Sequence, residues 1–375
     1  MKAFIIYKHL LDLDGNNFVI GGIETYLENL AQVIIKLGIS PVIVQCANKD
    51  FSKKVEEIQF YGFKHSINKE FHKFLYKKIK NKIKEEDILI WGTDTFSIKT
   101  DHKRSISIQH GIDFDYYPLE DKLRYKAYKL GLGHFFKFLQ RRRARNVFTK
   151  AKYHVCVDYN FWNWYRTFCL PDEEDKIFVI PNFSHLHKKS PFPKPANKPI
   201  EVLFARRFVR RRGIEIFMDV VQHFKNTDSL HFTFAGDGPY LDQVEKIAEN
   251  NKNVKITKYK QAESLAFHSS FDIAIIPTIG SEGTSFSLLE AMSTGNVCIC
   301  TCVGGMTNII LDNFNGYFVR PNSSKDIIDK ISFLINNPEK MEYLSQNAQK
   351  TIESSFSFDI WEQRWINVLK EITEE

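Results

Sequence analysis

Gly280-Ser281-Glu282-Gly283-Thr284-Ser285-Phe286-Ser287-Leu288-Leu289-Glu290-Ala291-Met292 sets two carboxylates eight positions apart. One stands in a Gly/Ser/Thr loop and the other in the apolar-periodic run that follows. A second apolar run, Phe271 to Pro277, comes just before. The pattern predicts strand, polar loop, helix. A helix N-terminus offers unpaired N–H groups and a positive dipole end to an anion. Thr284 and Ser285 are good start residues and carry hydroxyl donors. A start there puts Glu290 about two turns into the helix. A phosphate with sugars on either side would use all of these groups.

Working outward, apolar runs alternate with helical patterns along the whole chain. The early runs are Ala3–Tyr7, Pro41–Cys46, Ile88–Trp91, Ser105–Gln109, Tyr153–Val157 and Ile177–Ile180. Between the first two, Leu27, Leu30, Ala31, Val33 and Ile34 lie on one helical stripe. The segment from His185 to Pro199 carries four prolines in its last nine residues, which excludes core strand and helix interior. It reads as a linker. A second set of runs follows: Ile200–Phe204, His231–Ala235, Val254–Thr257, Ile273–Pro277, Val297–Thr301 and Tyr317–Val319, then helices near 324–336, 339–353 and 358–371. Such alternation argues for mostly parallel sheets covered on both faces. The expected organisation is a domain over 1–184, a linker over 185–199, a second domain over 200–356 and a final helical segment over 357–375.

The polar motifs follow strands, where ligands of open parallel sheets bind. Gly21-Gly22 opens the first helix, with Glu24 in its first turn. Glycine there permits close approach of a phosphate, though such pairs also occur in tight turns that bind nothing. Glu24 is equally read as a favourable charge on the helix dipole. His110 ends a strand and precedes Gly111. Ala205-Arg206-Arg207-Phe208-Val209-Arg210-Arg211-Arg212-Gly213 is a dense basic cluster, suited to a diphosphate because guanidinium bonds phosphate oxygens in pairs. Gly236-Asp237-Gly238-Pro239 reads as a strand-to-helix turn.

Taken together, Gly21-Gly22-Ile23-Glu24, Gln109-His110-Gly111, Pro181-Asn182, Arg207 with Arg212-Gly213, Gly236 to Pro239, the two glutamates and Gly304-Gly305 resemble the retaining family 4 glycosyltransferases. The resemblance implies the GT-B fold, an α/β class with two Rossmann-like parallel-sheet domains facing a central cleft. It implies transfer of a hexose from a UDP- or GDP-type nucleotide sugar to a saccharide or lipid-linked glycan hydroxyl, with retention, no cofactor and no metal. It assigns His110 to the transferred sugar, Arg207 and Arg212 to the leaving diphosphate, Glu282 to the donor sugar and Glu290 to the ribose. Gly21, Gly22, Gly283, Thr284, Ser285 and Phe286 fall to donor binding, and Glu24 to the acceptor side. The last helix is expected on the first domain, with Trp361, Trp365 and Leu369 as anchors.

Departures matter. The family usually has Gly at Arg206, often Lys at Arg212, and often Phe at Thr284. The five-residue separation selects Arg207 and Arg212, which leaves Arg206, Arg210 and Arg211 as solvated or structural. Phe286 is otherwise equally plausible as core. Glu282 and Glu290 sit in one loop-helix unit, which excludes a glycosidase acid/nucleophile pair. Other readings are an inverting transferase or sugar-nucleotide epimerase, or a nucleic-acid or anionic-membrane binding protein.

Net charge is +7 over 375 residues, and residues 1–200 hold 34 basic against 22 acidic side chains. The excess peaks over residues 122–150, with ten basic residues and no acidic one. Phe and Leu are interleaved there, as they are with Lys over 72–84. Basic amphipathic helices of this kind can lie on an anionic membrane; solvated helices packed on the sheet are the alternative. Contact with the inner face of the cell membrane is expected, and no nucleic-acid partner. No run is long enough for a membrane span, nor the N-terminal run for a signal peptide. Six cysteines in a chain this long make no disulfide framework, and the cytoplasm fits. Cys298, Cys300 and Cys302 alternate, as on one face of a buried strand.

Overall fold

The computed structural model describes residues 1–68, 70–112, 114, 122–168, 176–187, 198–280 and 282–374. Most of the expected linker, 188–197, lies outside them. The described residues divide into two compact units. One comprises 1–110, 138–181 and 359–375, and the other 111–137 and 182–358.

Among the described residues, the first sheet has eight strands: β1 (Lys2–Ile6), β2 (Ser40–Ala47), β3 (Phe51–Val55), β4 (Ile58–Lys64), β5 (Ile88–Trp91), β6 (Ser105–Gln109), β7 (Tyr153–Cys156) and β8 (Ile177–Val179). Their order is β3-β4-β2-β1-β5-β6-β7-β8. Helices α1 (Gly22–Lys36), α2 (Phe71–Ile79), α3 (Lys122–Ala127), α4 (Gly133–Phe148) and α5 (Tyr159–Tyr165) lie between the strands. β5 and β6 are buried along their whole length, as parallel strands covered on both faces are. α1 buries the expected stripe and Tyr26 with it. α2 packs Phe71, Leu75 and Ile79 into a core with Phe4, Val44 and Trp91.

The antiparallel β3–β4 hairpin was not expected from the sequence. Its turn, Glu56-Glu57, has no Gly or Asn, yet Glu56 takes φ 52°. The usual hairpin signal is thus missing.

The second sheet has the order β11-β10-β9-β12-β13-β14, all parallel, among the described residues. It comprises β9 (Ile200–Ala205), β10 (Leu230–Ala235), β11 (Val254–Thr257), β12 (Ile273–Ile276), β13 (Val297–Thr301) and β14 (Tyr317–Val319). Its helices are α6 (Ile214–His223), α7 (Leu241–Glu249), α8 (Ser264–His268), α9 (Phe286–Ser293), α10 (Ser324–Ile335) and α11 (Pro338–Thr351). Phe204, Phe208, Phe217 and Phe234 pack ring against ring in its larger core. Cys298 and Cys300 are buried in the other core. Cys302 lies past the end of β13 and is exposed, so the three thiols do not share a buried face.

The last helix, α12 (Phe358–Glu374), groups with the first unit from Asp359 onward. Trp361, Trp365 and Leu369 are fully buried. The Trp365 indole N–H donates to the Tyr26 hydroxyl at 2.9 Å. Trp361 meets the Tyr26 ring edge-on at 5.2 Å. Burying a large apolar side chain stabilises by about 1.5–3 kcal/mol, so these anchors fix α12 against α1.

Strand order reverses between β1 and β5 in the first sheet and between β9 and β12 in the second. Crevices at such switch points are where open α/β sheets hold ligands.

Candidate functional site

In the second unit the switch point brings the loop after β9 against the loop after β12. The contact is backbone to backbone. Gly213 takes φ 78°, and a Cβ there would lie 2.0 Å from the Pro277 carbonyl oxygen. Gly304 takes φ 53°, and its Cβ would meet the Glu282 carbonyl oxygen at 1.9 Å. Both positions need left-handed backbone and no side chain. Gly305 N–H donates to the Glu282 carbonyl at 2.9 Å. Asn182 anchors the same loop by donating from Nδ2 to the Thr284 carbonyl at 2.5 Å.

This framework holds Glu282, which is 8% exposed. Its Oε2 accepts from Arg206 Nη2 at 2.8 Å, from the Thr278 hydroxyl at 3.1 Å, and from Arg212. Arg206 also donates to the Thr278 hydroxyl oxygen. Burial pulls the Arg206 guanidinium down to about 10, which leaves it charged at neutral pH. Arg207, the register-selected partner of Arg212, is exposed. Arg210 pairs with Glu215 at 2.9 Å on the surface.

α9 begins at Phe286 with Ser285 as its cap residue, so Glu290 is its fifth residue and not two turns in. The backbone of 282–284 is taken up by contacts with Asn182, Gly304 and Gly305, which delays the helix. Thr284 and Ser285 are buried, Gly283 is half-buried, and Phe286 meets Phe183 edge-on at 5.6 Å. Glu290 is buried and accepts from Gln261 Nε2 at 2.9 Å. Burial raises its carboxyl to about 7, with Ser264 and Gln261 opposing. Two carboxylates of one loop-helix unit thus sit in opposite settings, one held by two cations and one in polar neutral company.

In the first unit, Gly21 caps α1 and Gly22 is its first residue. The Glu24 carboxylate folds back over Gly21, where a Cβ would meet Oε2 at 2.3 Å. Its Oε1 accepts from the Tyr7 hydroxyl at 3.0 Å and pairs with Lys8 at 3.2 Å. Burial and Glu24 push the Tyr7 phenol up, so it stays protonated. His110 contacts the Gly92 carbonyl through Nε2 at 2.8 Å and Tyr26 edge-on at 5.4 Å. Burial lowers its pKa to about 4. The carbonyl can only accept, so Nε2 carries the proton and Nδ1 is an acceptor.

The motif reading did not find Arg206, Thr278 and Gln261 on the second-unit carboxylates, or Tyr7 and Lys8 on Glu24. No local signal marks Arg206, which lies in a bend just past the end of β9, where strand alternation no longer sets side-chain direction. Among the described residues no group of three or more His, Cys, Asp or Glu is arranged to hold a metal ion.

Residues 187–351 match the family model described as "Glycosyl transferases group 1". An uncharacterised glycosyltransferase of Methanocaldococcus jannaschii is 30% identical over 171 residues, 45% of this chain and 46% of that protein. The poly(ribitol-phosphate) alpha-N-acetylglucosaminyltransferase of Staphylococcus aureus is 25% identical over 199 residues, 52% of this chain and 39% of that protein. These matches thus span about half or less of those two curated relatives. Among solved structures, a mutant of S. aureus TarM in complex with fondaparinux, alpha-GlcNAc-glycerol and UDP superposes with a TM-score of 0.70 at 14% identity, covering 98% of this chain and 99% of that one. At that identity the likeness speaks for the fold alone. The chain therefore carries a glycosyl transferases group 1 domain, residues 187–351, within a GT-B fold of two parallel-sheet α/β domains.

Proposed function

We propose that the protein is a retaining glycosyltransferase. It moves a hexose from a nucleoside diphosphate sugar to a hydroxyl of a saccharide or lipid-linked glycan. The observation that carries this reading is the paired setting of Glu282 and Glu290 inside a group 1 domain. Arg212 and the exposed Arg207 neutralise the leaving diphosphate. That is stabilisation of charge that develops in the transition state. Glu290 accepts from ribose hydroxyls, and Glu282 from hydroxyls of the transferred sugar. The first turn of α9, with Ser285 and Phe286, turns N–H groups toward the phosphate. Neutral His110 accepts a sugar hydroxyl at Nδ1, and Glu24 serves the acceptor. Two arginines at the diphosphate do the work of a divalent ion, so excess EDTA should leave activity intact. The UDP named with the TarM structure supports a nucleoside diphosphate as ligand class. Thermal shift against a panel of nucleotide sugars tests the reading, since a ligand of the native state raises apparent stability. One nucleoside diphosphate and its sugar should raise Tm; no shift across the panel would refute it.

The acceptor reading extends to an anionic membrane surface. On and just before α4, Leu130, Leu132, Phe135, Phe138 and Leu139 are exposed by 43–78%, beside exposed Arg141, Arg142 and Arg143. Among the described residues no helix is long and apolar enough to cross a membrane. Each basic residue near an anionic surface contributes about 1 kcal/mol, screened by salt. Replacing Arg141, Arg142 and Arg143 with Gln should release the protein from phosphatidylserine-containing vesicles and spare activity on a short soluble acceptor. Co-sedimentation indifferent to salt and to these changes would exclude the contact.

A further inference from the structure

Arg206 stands where the family resemblance puts glycine, and it is the most enclosed of the ion-paired arginines in its cluster. Its side chain is 5% exposed, against 24% for Arg212 and 44% for Arg210. One arm of the guanidinium reaches Thr278 and another reaches Glu282 Oε2. Thr278 and Arg212 donate to that same oxygen. Three donors thus converge on Oε2, and no described residue donates to Oε1. A carboxylate pinned through one oxygen presents the other in a fixed direction. The three donors differ in what a diphosphate would do to them. Arg212 is partly open and would be drawn onto the phosphate oxygens, which bind guanidinium in pairs. Arg206 is closed in behind Glu282 and bonded to Thr278, so its grip would persist.

The geometry points to Arg206 as a positioning residue that aims Glu282 Oε1 at the hydroxyls of the transferred sugar after the diphosphate has engaged Arg212. This rests on the reading of Glu282 as the donor-sugar residue. A glycine here would leave Thr278 alone to hold the carboxylate, so Arg206 makes the sugar end of the site more rigid than the usual motif does. Misplacement of a reacting group by an ångström costs on the order of a hundredfold in rate.

The test is a double-variant cycle on Arg206→Gln and Glu282→Gln, with Arg206→Lys as the conservative change. Calorimetry with UDP and GDP gives nucleotide affinity. Turnover is read at saturating concentration of the nucleotide sugar that raises Tm in the panel. Arg206→Gln should keep nucleoside diphosphate affinity within about twofold and lower kcat about 10- to 100-fold. Arg206→Lys should recover part of that loss. In the Glu282→Gln background, Arg206→Gln should add less than about twofold, because two groups acting as a unit are not additive. Equal losses of nucleotide affinity and turnover would make Arg206 a phosphate ligand and overturn the inference. So would unchanged kcat, or a fully additive effect. If Arg206→Gln fails to fold, the same cycle run with Arg206→Lys decides. A Glu282→Gln variant with wild-type kcat would remove Glu282 from the donor site and this inference with it. A sensitive Glu282 with an additive Arg206 would overturn this inference alone.

Discussion

Glu24, in the first turn of α1, and Glu282, in the loop before α9, are both buried carboxylates that follow a strand at a switch point, yet they are neutralised in different ways. Glu24 takes its partners from its own connection, Tyr7 and Lys8, fewer than twenty residues back. Glu282 takes Arg206 and Arg212 from the end of a neighbouring strand, 76 and 70 residues away. Lysine and glutamate cancel in the first unit. Two guanidiniums on one carboxylate leave a positive charge over in the second, and exposed Arg207 adds to it. Local pairing closes an anion site, whereas pairing across the sheet leaves one open. On the proposed reading, the diphosphate belongs with the excess positive charge of the second unit, and Glu24 is left for an uncharged hydroxyl partner.

The sharpest way to break this contrast is Arg212→Ala. Losing one preorganised donor to developing charge costs about 10²- to 10³-fold in turnover. Arg207→Ala should also cut turnover, while Arg211→Ala and Arg210→Ala, whose charge is paired with Glu215 on the surface, stay within about threefold. Steady-state kinetics on the four variants decide; a sensitive Arg210 or Arg211 would show that the diphosphate lies elsewhere on the cluster.

Glu290 sharpens the contrast through pH, because it lacks the cations that Glu282 has. Its folded pKa, about 7, lies above the ordinary value of 4.5. Between those two values the folded state binds the extra proton, so stability falls as pH rises through that window and is level above it. The full effect is on the order of 3 kcal/mol. Denaturant titrations at pH 5 and pH 8 should show Glu290→Gln gaining on the wild type at the higher pH. An equal difference at both would mean that Glu290 titrates as an ordinary carboxyl.

A smaller effect, about 2 kcal/mol, is expected from Gly213→Ala, which strains a left-handed residue and drives a methyl toward the Pro277 carbonyl. Thermal scans should show lowered stability, with nucleotide affinity falling alongside because the β9 and β12 loops separate. Preserved stability would mean that the two loops do not depend on this contact. The smallest effect belongs to the first unit. Glu24→Gln should cost about 0.5–1.5 kcal/mol in stability, the worth of one hydrogen bond. It should raise KM for the acceptor without changing nucleotide affinity; a change in nucleotide affinity would erase the distinction between the two loops.

The sequence made most strands and their alternation with helices readable, because Ile88–Trp91 or Val297–Thr301 can be little other than buried parallel strand. The β3–β4 hairpin escaped because Glu56-Glu57 supplies a tight turn without the residues that advertise one. Spacing located Glu282 and Glu290, but their environments were not legible. Glu282 is held from the loop after β9 and Glu290 from the segment before α8, and nothing local to the loop names either. Arg206 was set aside because motif register counts positions along the chain, whereas its partners Thr278 and Glu282 lie 72 and 76 residues further on. α9 starts later than Thr284 because backbone contacts with Gly305 and Asn182, both distant in sequence, claim the preceding residues.

The most direct test is calorimetric titration of UDP and GDP into the wild type and Glu290→Gln, at pH 6 and pH 8 in two buffers of different ionisation enthalpy. A ribose that donates to the Glu290 carboxylate should favour its ionised form. The wild type should then bind one nucleotide more tightly at pH 8 than at pH 6 and release a proton at pH 6. Glu290→Gln should lose about 1–3 kcal/mol of that affinity, together with the pH dependence. The same affinity in both proteins at both pH values, with no proton release, would contradict the assignment of the second-unit loop as the donor site.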